Sequence, residues 1–201
     1  GMFTGNNDLF LKYWYEVNNL NIGYGLKSRE LAKSSAFKWF PANKGGKFRK
    51  WYGNNEYIVN WENDGYEICN FKNNNGKLRS RPQNLDTYFK KGISWTVISS
   101  NNSSFRYSPE GFVYTNKGPS ILSNDDEIDF FILGILNSKV SNFILNIISP
   151  TIGFEAGYIA KIPILINDES KKRIIDLVKE NIKISKMDWD IFETSWDFTE
   201  H

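Results

Sequence analysis

Between Lys38 and Tyr52 the chain carries Lys38, Lys44, Lys47, Arg49 and Lys50 without one Asp or Glu. Trp39, Phe40, Phe48, Trp51 and Tyr52 are interleaved with them. Lys and Arg neutralise phosphates and release their counterions. Arg reads guanine edges and Asn reads adenine edges in the major groove, and Asn43, Asn54 and Asn55 lie in or beside the cluster. The aromatics alone read as core, since large aromatics mostly bury. The acid-free run of charge reads as a nucleic-acid surface. A second basic group, Lys77, Arg79 and Arg81, runs into Pro82-Gln83-Asn84 on an expected loop, where binding residues are often displayed. Lys90 and Lys91 form a third patch. For each group the plainer alternative is a solvated face.

Other chemistries find little support. The one histidine, His201, is the last residue, and the one cysteine is Cys69. Ser-His-Asp, Cys-His and His-ligated metal mechanisms need an ordered imidazole, and chain ends fray. No metal site and no disulfide framework is expected. Asp125, Asp126 and Glu127 are consecutive, which suits a helix N-terminus better than a catalytic pair. Gly23-x-Gly25 lacks the third glycine of a phosphate loop. No Asp/Asn-Pro-Pro-Tyr tetrad and no nuclease arrangement of carboxylates stands out, and Pro150 and Pro163 stand singly. The chain alone is therefore expected to be no enzyme and to hold no cofactor.

The 201 residues are 40% hydrophobic and 16% aromatic, which fits a folded domain with a sizeable core. Net charge is +2, unevenly spread: residues 1–100 hold 15 basic against 8 acidic residues, and 101–201 hold 10 against 15. Such asymmetry suits a surface that meets a polyanion. The start lacks the basic and apolar regions of a signal peptide. The apolar stretch Ile128 to Ile148 is broken by Asp129, Asn137, Lys139, Asn142 and Asn146, so no membrane span and a cytoplasmic location are expected. Gly1 before Met2 reads as an expression scar, and the chain as a fragment of a longer protein.

Several elements must position these groups. Asn7 or Asp8 caps a helix over 8–18, with Leu9, Phe10, Tyr13, Trp14 and Val17 at helical spacing. Ser28 caps a short helix over 29–35. Pro41 argues against a central strand there, and Gly45-Gly46 supplies a turn tolerating positive φ. Residues 57–61 read as a strand, Asn63-Asp64-Gly65 as a turn, and 66–71 as the returning strand of a hairpin. Asn73 to Gly76 is a polar loop. Short strands are expected over 93–99, 104–107 and 111–115, with a turn at Pro109-Glu110-Gly111. Asp125 to Glu127 start a core-facing helix over 127–148, closed by Pro150, with Ile135 and Phe143 on its apolar stripe. Asn167 or Asp168 opens a last helix to about Lys186, with Ile174, Ile175, Leu177, Val178, Ile182 and Ile184 apolar.

Five blocks in order carry a resemblance: GMFTGNNDLFLKYWYEV, KWFPANKGGKFRKWYGNNEYIVNWENDG, YFKKGISWTVIS, FRYSPEGFVY and LGILNSKVSNFILNIISPTIGFEAGYIAKIPI. Together they resemble the C-terminal target-recognition region of large adenine-specific DNA methyltransferases of the PglX family, found in BREX-type phage-defence systems. They also resemble the TaqI-like specificity domain of restriction–modification enzymes. The match runs from about Thr4 to Ile164 and continues in the trailing KENIKISKMDWDIFETSWDF. The resemblance implies that a separate catalytic domain of the same polypeptide binds S-adenosylmethionine and flips the adenine. This region would bind double-stranded DNA and help choose the site. It also implies a structural segment over Leu133–Ile164, a helix, a crossing strand and a short helix start, with tight turns at Thr151, Gly153 and Gly157.

The expectation is an α+β fold: one DNA target-recognition domain over 1–201, with a twisted, mostly antiparallel sheet over 37–122 flanked by helices, the second set over 125–198. Its candidate DNA-binding residues are Lys44, Lys47, Arg49, Lys50, Asn54, Asn55, Lys77, Arg79, Arg81, Gln83 and Asn84. The runner-up is an interaction module whose acidic second half and last helix dock the catalytic domain or other defence subunits.

Overall fold

The structure is a computed structural model; it describes every residue except 100–101, 124, 150–152, 167 and 200–201. In chain order its elements are α1 (Asn7–Phe10), β1 (Leu11–Tyr13), α2 (Arg29–Ser34), β2 (Trp39–Asn43), β3 (Tyr57–Asn60), α3 (Glu62–Cys69), β4 (Gly92–Trp95), β5 (Phe105–Ser108), β6 (Val113–Tyr114), β7 (Ser120–Ile121), α4 (Asp126–Leu136), α5 (Lys139–Ile148), α6 (Ala156–Ile159) and α7 (Asp168–Asp190). The fold is α+β and mostly antiparallel. Its strands sort into two sheets, ordered β1-β3-β2-β6 and β5-β4-β7, where one sheet over 37–122 was expected. By its contacts the chain divides into two units: Gly1–Lys44, Asn55–Lys91 and Pro109–Gly118 in the first, and Gly45–Asn54, Gly92–Ser108 and Pro119–His201 in the second. Among the described residues no single helix is long and apolar enough to cross a membrane.

In the first unit β3 is central, with Ile58 and Val59 both fully buried, so both of its faces are covered. Edge-on aromatic pairs fill this core: Phe40 on Phe89 at 5.4 Å, Trp61 on Tyr88 at 5.1 Å and Phe10 on Phe71 at 5.1 Å. The helix expected over 8–18 is corrected. Asn6, not Asn7 or Asp8, caps α1 by accepting from the Leu9 N–H, and the helix lasts one turn. Leu11 to Tyr13 then leave it to pair with β3, Tyr13 opposite Tyr57. Tertiary strand pairing overrides the local helical spacing.

Pro41 lies inside a central strand, against expectation. The Trp61 N–H donates to the Lys38 carbonyl, so Trp39–Asn60 and Pro41–Ile58 are the non-hydrogen-bonded pairs of β2 and β3. The Pro41 nitrogen therefore faces away from β3, toward a side where β6 pairs only from Ala42 onward. No ladder bond is lost. Ser28 caps α2 as expected. The hairpin over 57–71 is also corrected. Asn63, Asp64 and Gly65 take φ of 50°, 63° and 73°, and the chain continues helically to Cys69. Arg29 holds this left-handed turn by donating from Nε and Nη2 to the two Asp64 carboxylate oxygens, each at 2.6 Å. Ile68 and Phe71, three residues apart, both face the core, a spacing that suits a helical turn better than a strand.

In the second unit Trp95, Phe105, Leu133, Leu136, Leu145, Phe154 and Val178 form the core. The Trp95 indole donates to the Phe154 carbonyl at 2.8 Å. Asp125 caps α4 by accepting from the Glu127 and Ile128 N–H groups. Gly134 lets α7 approach closely: a Cβ there would lie 2.9 Å from methyls of Ile174 and Val178.

The single helix expected over 127–148 is two helices, α4 and α5, bent by 68°. Asn137 causes the break. Its side chain accepts from the Phe105 N–H at 3.1 Å and donates to the Phe105 carbonyl at 2.9 Å, completing the edge of β5. Ser138 then caps α5. The bend moves the apolar stripe, so Ile135 is only half-buried and Phe143 is 67% exposed instead of being core. Helix α7 runs to Asp190, beyond the expected Lys186; Ile175 and Val178 are buried, while Leu177 and Ile184 are exposed. Gly153 pairs with Ile98 across an antiparallel bridge, and Gly157 lies within α6 with open space around it, not at a tight turn of its own. Pro150, Thr151 and Asn167 lie outside the described residues.

Candidate nucleic-acid interface

Residues 77–84 are not a floppy loop. The Arg79 N–H donates to the Phe71 carbonyl at 2.8 Å. The Arg81 N–H donates to the Phe3 carbonyl at 2.7 Å, and the Phe3 N–H returns to Arg81 at 3.2 Å. Lys72 and Leu78 form a further antiparallel bridge. The backbone is thus pinned on both sides. Successive side chains of extended backbone alternate in direction: Ser80 is buried, its hydroxyl donating to the Ile68 carbonyl, and Arg79 and Arg81 on either side are exposed. Lys77, Gln83 and Asn84 are exposed as well. Asn84 sits at φ 57°, and its carbonyl accepts the Thr87 hydroxyl at 2.7 Å. The Arg79 guanidinium lies 5.7 Å from the Phe71 ring centroid. Among the described residues none of Lys77, Arg79 and Arg81 is paired with a carboxylate. The result is a firm ridge of three cations and two amides facing solvent.

The cluster over 38–52 fares differently. Lys38 and Lys44 belong to the first unit, and residues 45–52 to the second. Lys38 lies 3.7 Å from each of Glu62 and Glu67. Lys44 lies over the Tyr57 ring, 4.1 Å from its centroid. In the second unit, Arg49 pairs with Asp188 at 3.0 Å and lies 5.0 Å from the Trp189 ring. Lys50 donates to the Asn137 carbonyl at 2.7 Å, and burial pulls its pKa below the usual lysine value. Lys186 of α7 lies 5.3 Å from the Tyr52 ring. Burial works against the Lys186 charge, but hydrogen bonds to Asp190 and Asp197 raise its pKa above the ordinary value. Only Lys47 extends into solvent without a side-chain partner among the described residues. Asn54 and Asn55 are 7% and 3% exposed, so neither is displayed to a groove; Asn54 instead donates to the Lys47 carbonyl at 2.8 Å.

Sequence reasoning missed Arg106, which is 2% exposed. It donates to the Arg49 carbonyl at 3.1 Å, to Ser104 at 3.4 Å and to Thr96 at 3.1 Å. Burial and the neighbouring Arg49 guanidinium push its pKa down to about 10, so it stays charged at neutral pH. Burial does not alternate along β5, since Phe105 and Arg106 are both buried, so no local signal marked this Arg as inward. Also missed was a column of tyrosines beside Lys44, since Tyr13 had been placed on a helix. Among the described residues no cluster of His, Cys, Asp or Glu could hold a metal ion.

Comparison with known proteins sets the chain beside part of much larger ones. No family model matches the chain. Yet along nearly its whole length it corresponds to a partial domain of adenine-specific methyltransferases. It is 40% identical over 200 residues, 99% of this chain, to the adenine-specific methyltransferase PglX of Lacticaseibacillus casei (strain Zhang), of which it covers 16%. It is 40% identical over 200 residues, 98% of this chain, to the adenine-specific methyltransferase BrxX of Escherichia coli O9:H4 (strain HS), of which it covers 15%.

Proposed function

We propose that this chain is the target-recognition part of an adenine-specific DNA methyltransferase in a restriction-like or BREX-type phage-defence system. The observation that carries this reading is the 77–84 ridge. Its backbone is fixed by hydrogen bonds, and it presents Lys77, Arg79, Arg81, Gln83 and Asn84 to solvent. Phosphate contacts position a protein on the duplex, and base contacts specify the sequence. Arg to guanine and Asn or Gln to adenine are the efficient pairs, and the ridge offers both. The names of the relatives support a methyltransferase parent. S-adenosylmethionine and the flipped adenine would be held by the catalytic domain of that polypeptide. This chain would bring double-stranded DNA to it and transfer no methyl group alone.

The test is a graft. Residues 77–84 are moved into a full-length relative that methylates a different site, and methylated adenines are mapped across a genome. A changed site supports the reading. An unchanged site with normal activity removes these residues from base recognition. A second reading, a docking module, draws on α5, where Val140, Phe143 and Ile147 are all exposed. On that reading charge reversals on the ridge leave methylation intact, while Phe143→Glu abolishes it.

A further inference from the structure

Residues 46–50 form a loop of the second unit that is anchored through its carbonyls. The Gly46 carbonyl accepts from the Thr96 hydroxyl at 3.2 Å, the Lys47 carbonyl from the Asn54 amide at 2.8 Å and the Arg49 carbonyl from Arg106 Nη1 at 3.1 Å. All three donors sit on buried side chains. In a planar trans peptide the N–H points opposite to the C=O. The same bonds therefore turn the N–H groups of Lys47, Phe48 and Lys50 away from the interior. Lys47 and Phe48 are exposed, and among the described residues neither N–H has a partner within the chain. Gly46 lets Asn54 close on the loop: its φ is 141°, and a Cβ there would lie 2.9 Å from the Asn54 amide nitrogen.

Behind the loop lies an unbalanced charge. Arg106 is 2% exposed, and among the described residues no carboxylate pairs with it. Its Nη2 donates to the Thr96 hydroxyl at 3.1 Å, which passes the bond on to the Gly46 carbonyl. One guanidinium thus holds a peptide at each end of the loop, directly at Arg49 and through Thr96 at Gly46. Linked hydrogen bonds polarise one another, so the outward N–H ends of these peptides are more positive than ordinary amides. A buried charge without a counter-charge is costly, and an anion seated on the loop offsets that cost.

We propose that the N–H groups of Lys47 and Phe48, with the Lys47 ammonium, form a seat for one phosphate, and that its occupant is a phosphodiester of the DNA backbone. Successive backbone N–H groups facing one way make anion-binding concavities, and backbone N–H groups are regular contacts to DNA phosphates. A phosphodiester carries one negative charge and two free oxygens. The seat offers one ammonium and two N–H donors. Free phosphate has more charge and more oxygens, and an open loop leaves those without donors. The exposed Phe48 ring adds apolar surface for the adjoining sugar. Asn54 and Asn55 are buried, so the loop displays no amide to a base. The seat therefore positions the duplex and reads no sequence.

The inference rests on the reading that this chain meets DNA, and its test separates the two. The full chain, isotope-labelled, is titrated with a short duplex and separately with inorganic phosphate, and its amide resonances are followed. The Lys47 and Phe48 amide protons are expected to move downfield and saturate with the duplex, and to respond to inorganic phosphate only at far higher concentration. Lys47→Ala should keep the native spectrum and lower the slope of log affinity against log salt by about 0.9, one phosphate contact. Thr96→Val cuts the link from Arg106 to Gly46 and should shrink the Lys47 shift; an undiminished shift overturns the part assigned to Arg106. Duplex binding that leaves both amides unmoved overturns the seat and spares the ridge reading. An equal response to inorganic phosphate at the same concentration overturns the DNA occupant. A duplex that does not bind at all overturns both readings.

Discussion

Residues 77–84 and 47–54 look alike as strings of basic and amide residues, and the fold uses them in opposite ways. In the first, backbone groups make the bonds and side chains are left over. Arg79 and Arg81 are tied through their N–H groups, and their guanidinium groups face solvent. In the second, the side chains make the bonds. Arg49 goes to Asp188 and Trp189, Lys50 to the Asn137 carbonyl, and Asn54 to the Lys47 carbonyl. Charge density in sequence is therefore a poor guide to charge available to a ligand. What matters is whether the fold has already paired it. The phosphate contacts expected of Lys47, Arg49 and Lys50 reduce, on this geometry, to a proposal for Lys47 alone.

That contrast breaks most severely at Asn137, the anchor that receives Lys50 and completes β5. Asn137→Ala leaves the Phe105 N–H and carbonyl unmatched in a buried place. The expected cost is about 2–6 kcal/mol, from two orphaned groups at about 1–3 kcal/mol each, read by urea unfolding. An unfolding midpoint within error of wild type would show that the helix break has another cause. Lys50→Ala is expected to cost less, about 1–2 kcal/mol, because a charged hydrogen bond is worth about 1.5–3 kcal/mol and this one is partly exposed. Removing Lys77, Arg79 and Arg81 together should change stability by less than about 0.5 kcal/mol, as for other surface sites. If the two sets cost the same, the distinction between structural and displayed cations fails.

Lys186 sharpens the same comparison through pH. Its pKa is raised above the ordinary 10.5, so it stabilises the fold fully below that value. The contribution is lost as pH rises through the higher folded value. The stability advantage of wild type over Lys186→Met should therefore be constant from pH 7 to about 10 and shrink above pH 10.5. An advantage that grows with alkalinity would contradict the hydrogen bonds assigned to Asp190 and Asp197.

The α+β class, the caps at Ser28 and Asp125, the strand at 57–60 and the turn at Pro109 to Gly111 were legible because local signals and tertiary structure agree there. Where they disagree, tertiary pairing wins. Leu11 to Tyr13 have helical spacing, but β3 offers them a ladder. Asn137 sits in an apolar helical run, yet its amide is drawn to Phe105. Of the candidate site, the exposure of 77–84 was readable from composition. The burial of Arg106 was not, because its Arg49 carbonyl partner lies far along the chain, and composition does not distinguish the buried Asn54 and Asn55 from displayed amides. The tyrosine column was hidden by the helix reading of 8–18, since Tyr13 ends a strand and Tyr15 lies in the 3-10 turn that follows it.

The central claim is that the ridge over 77–84, and not Arg49 and Lys50, carries the chain's electrostatic contact with DNA. The most direct measurement is duplex affinity as a function of salt for wild type, for Lys77→Ala/Arg79→Ala/Arg81→Ala and for Arg49→Ala/Lys50→Ala. Each lost phosphate contact lowers the slope of log affinity against log salt by about 0.9. The account predicts a drop of roughly 2–3 for the ridge variant, for up to three lost contacts, and an unchanged slope for the Arg49/Lys50 variant. An unchanged slope in the ridge variant, with the loss appearing in the Arg49/Lys50 variant, would contradict it.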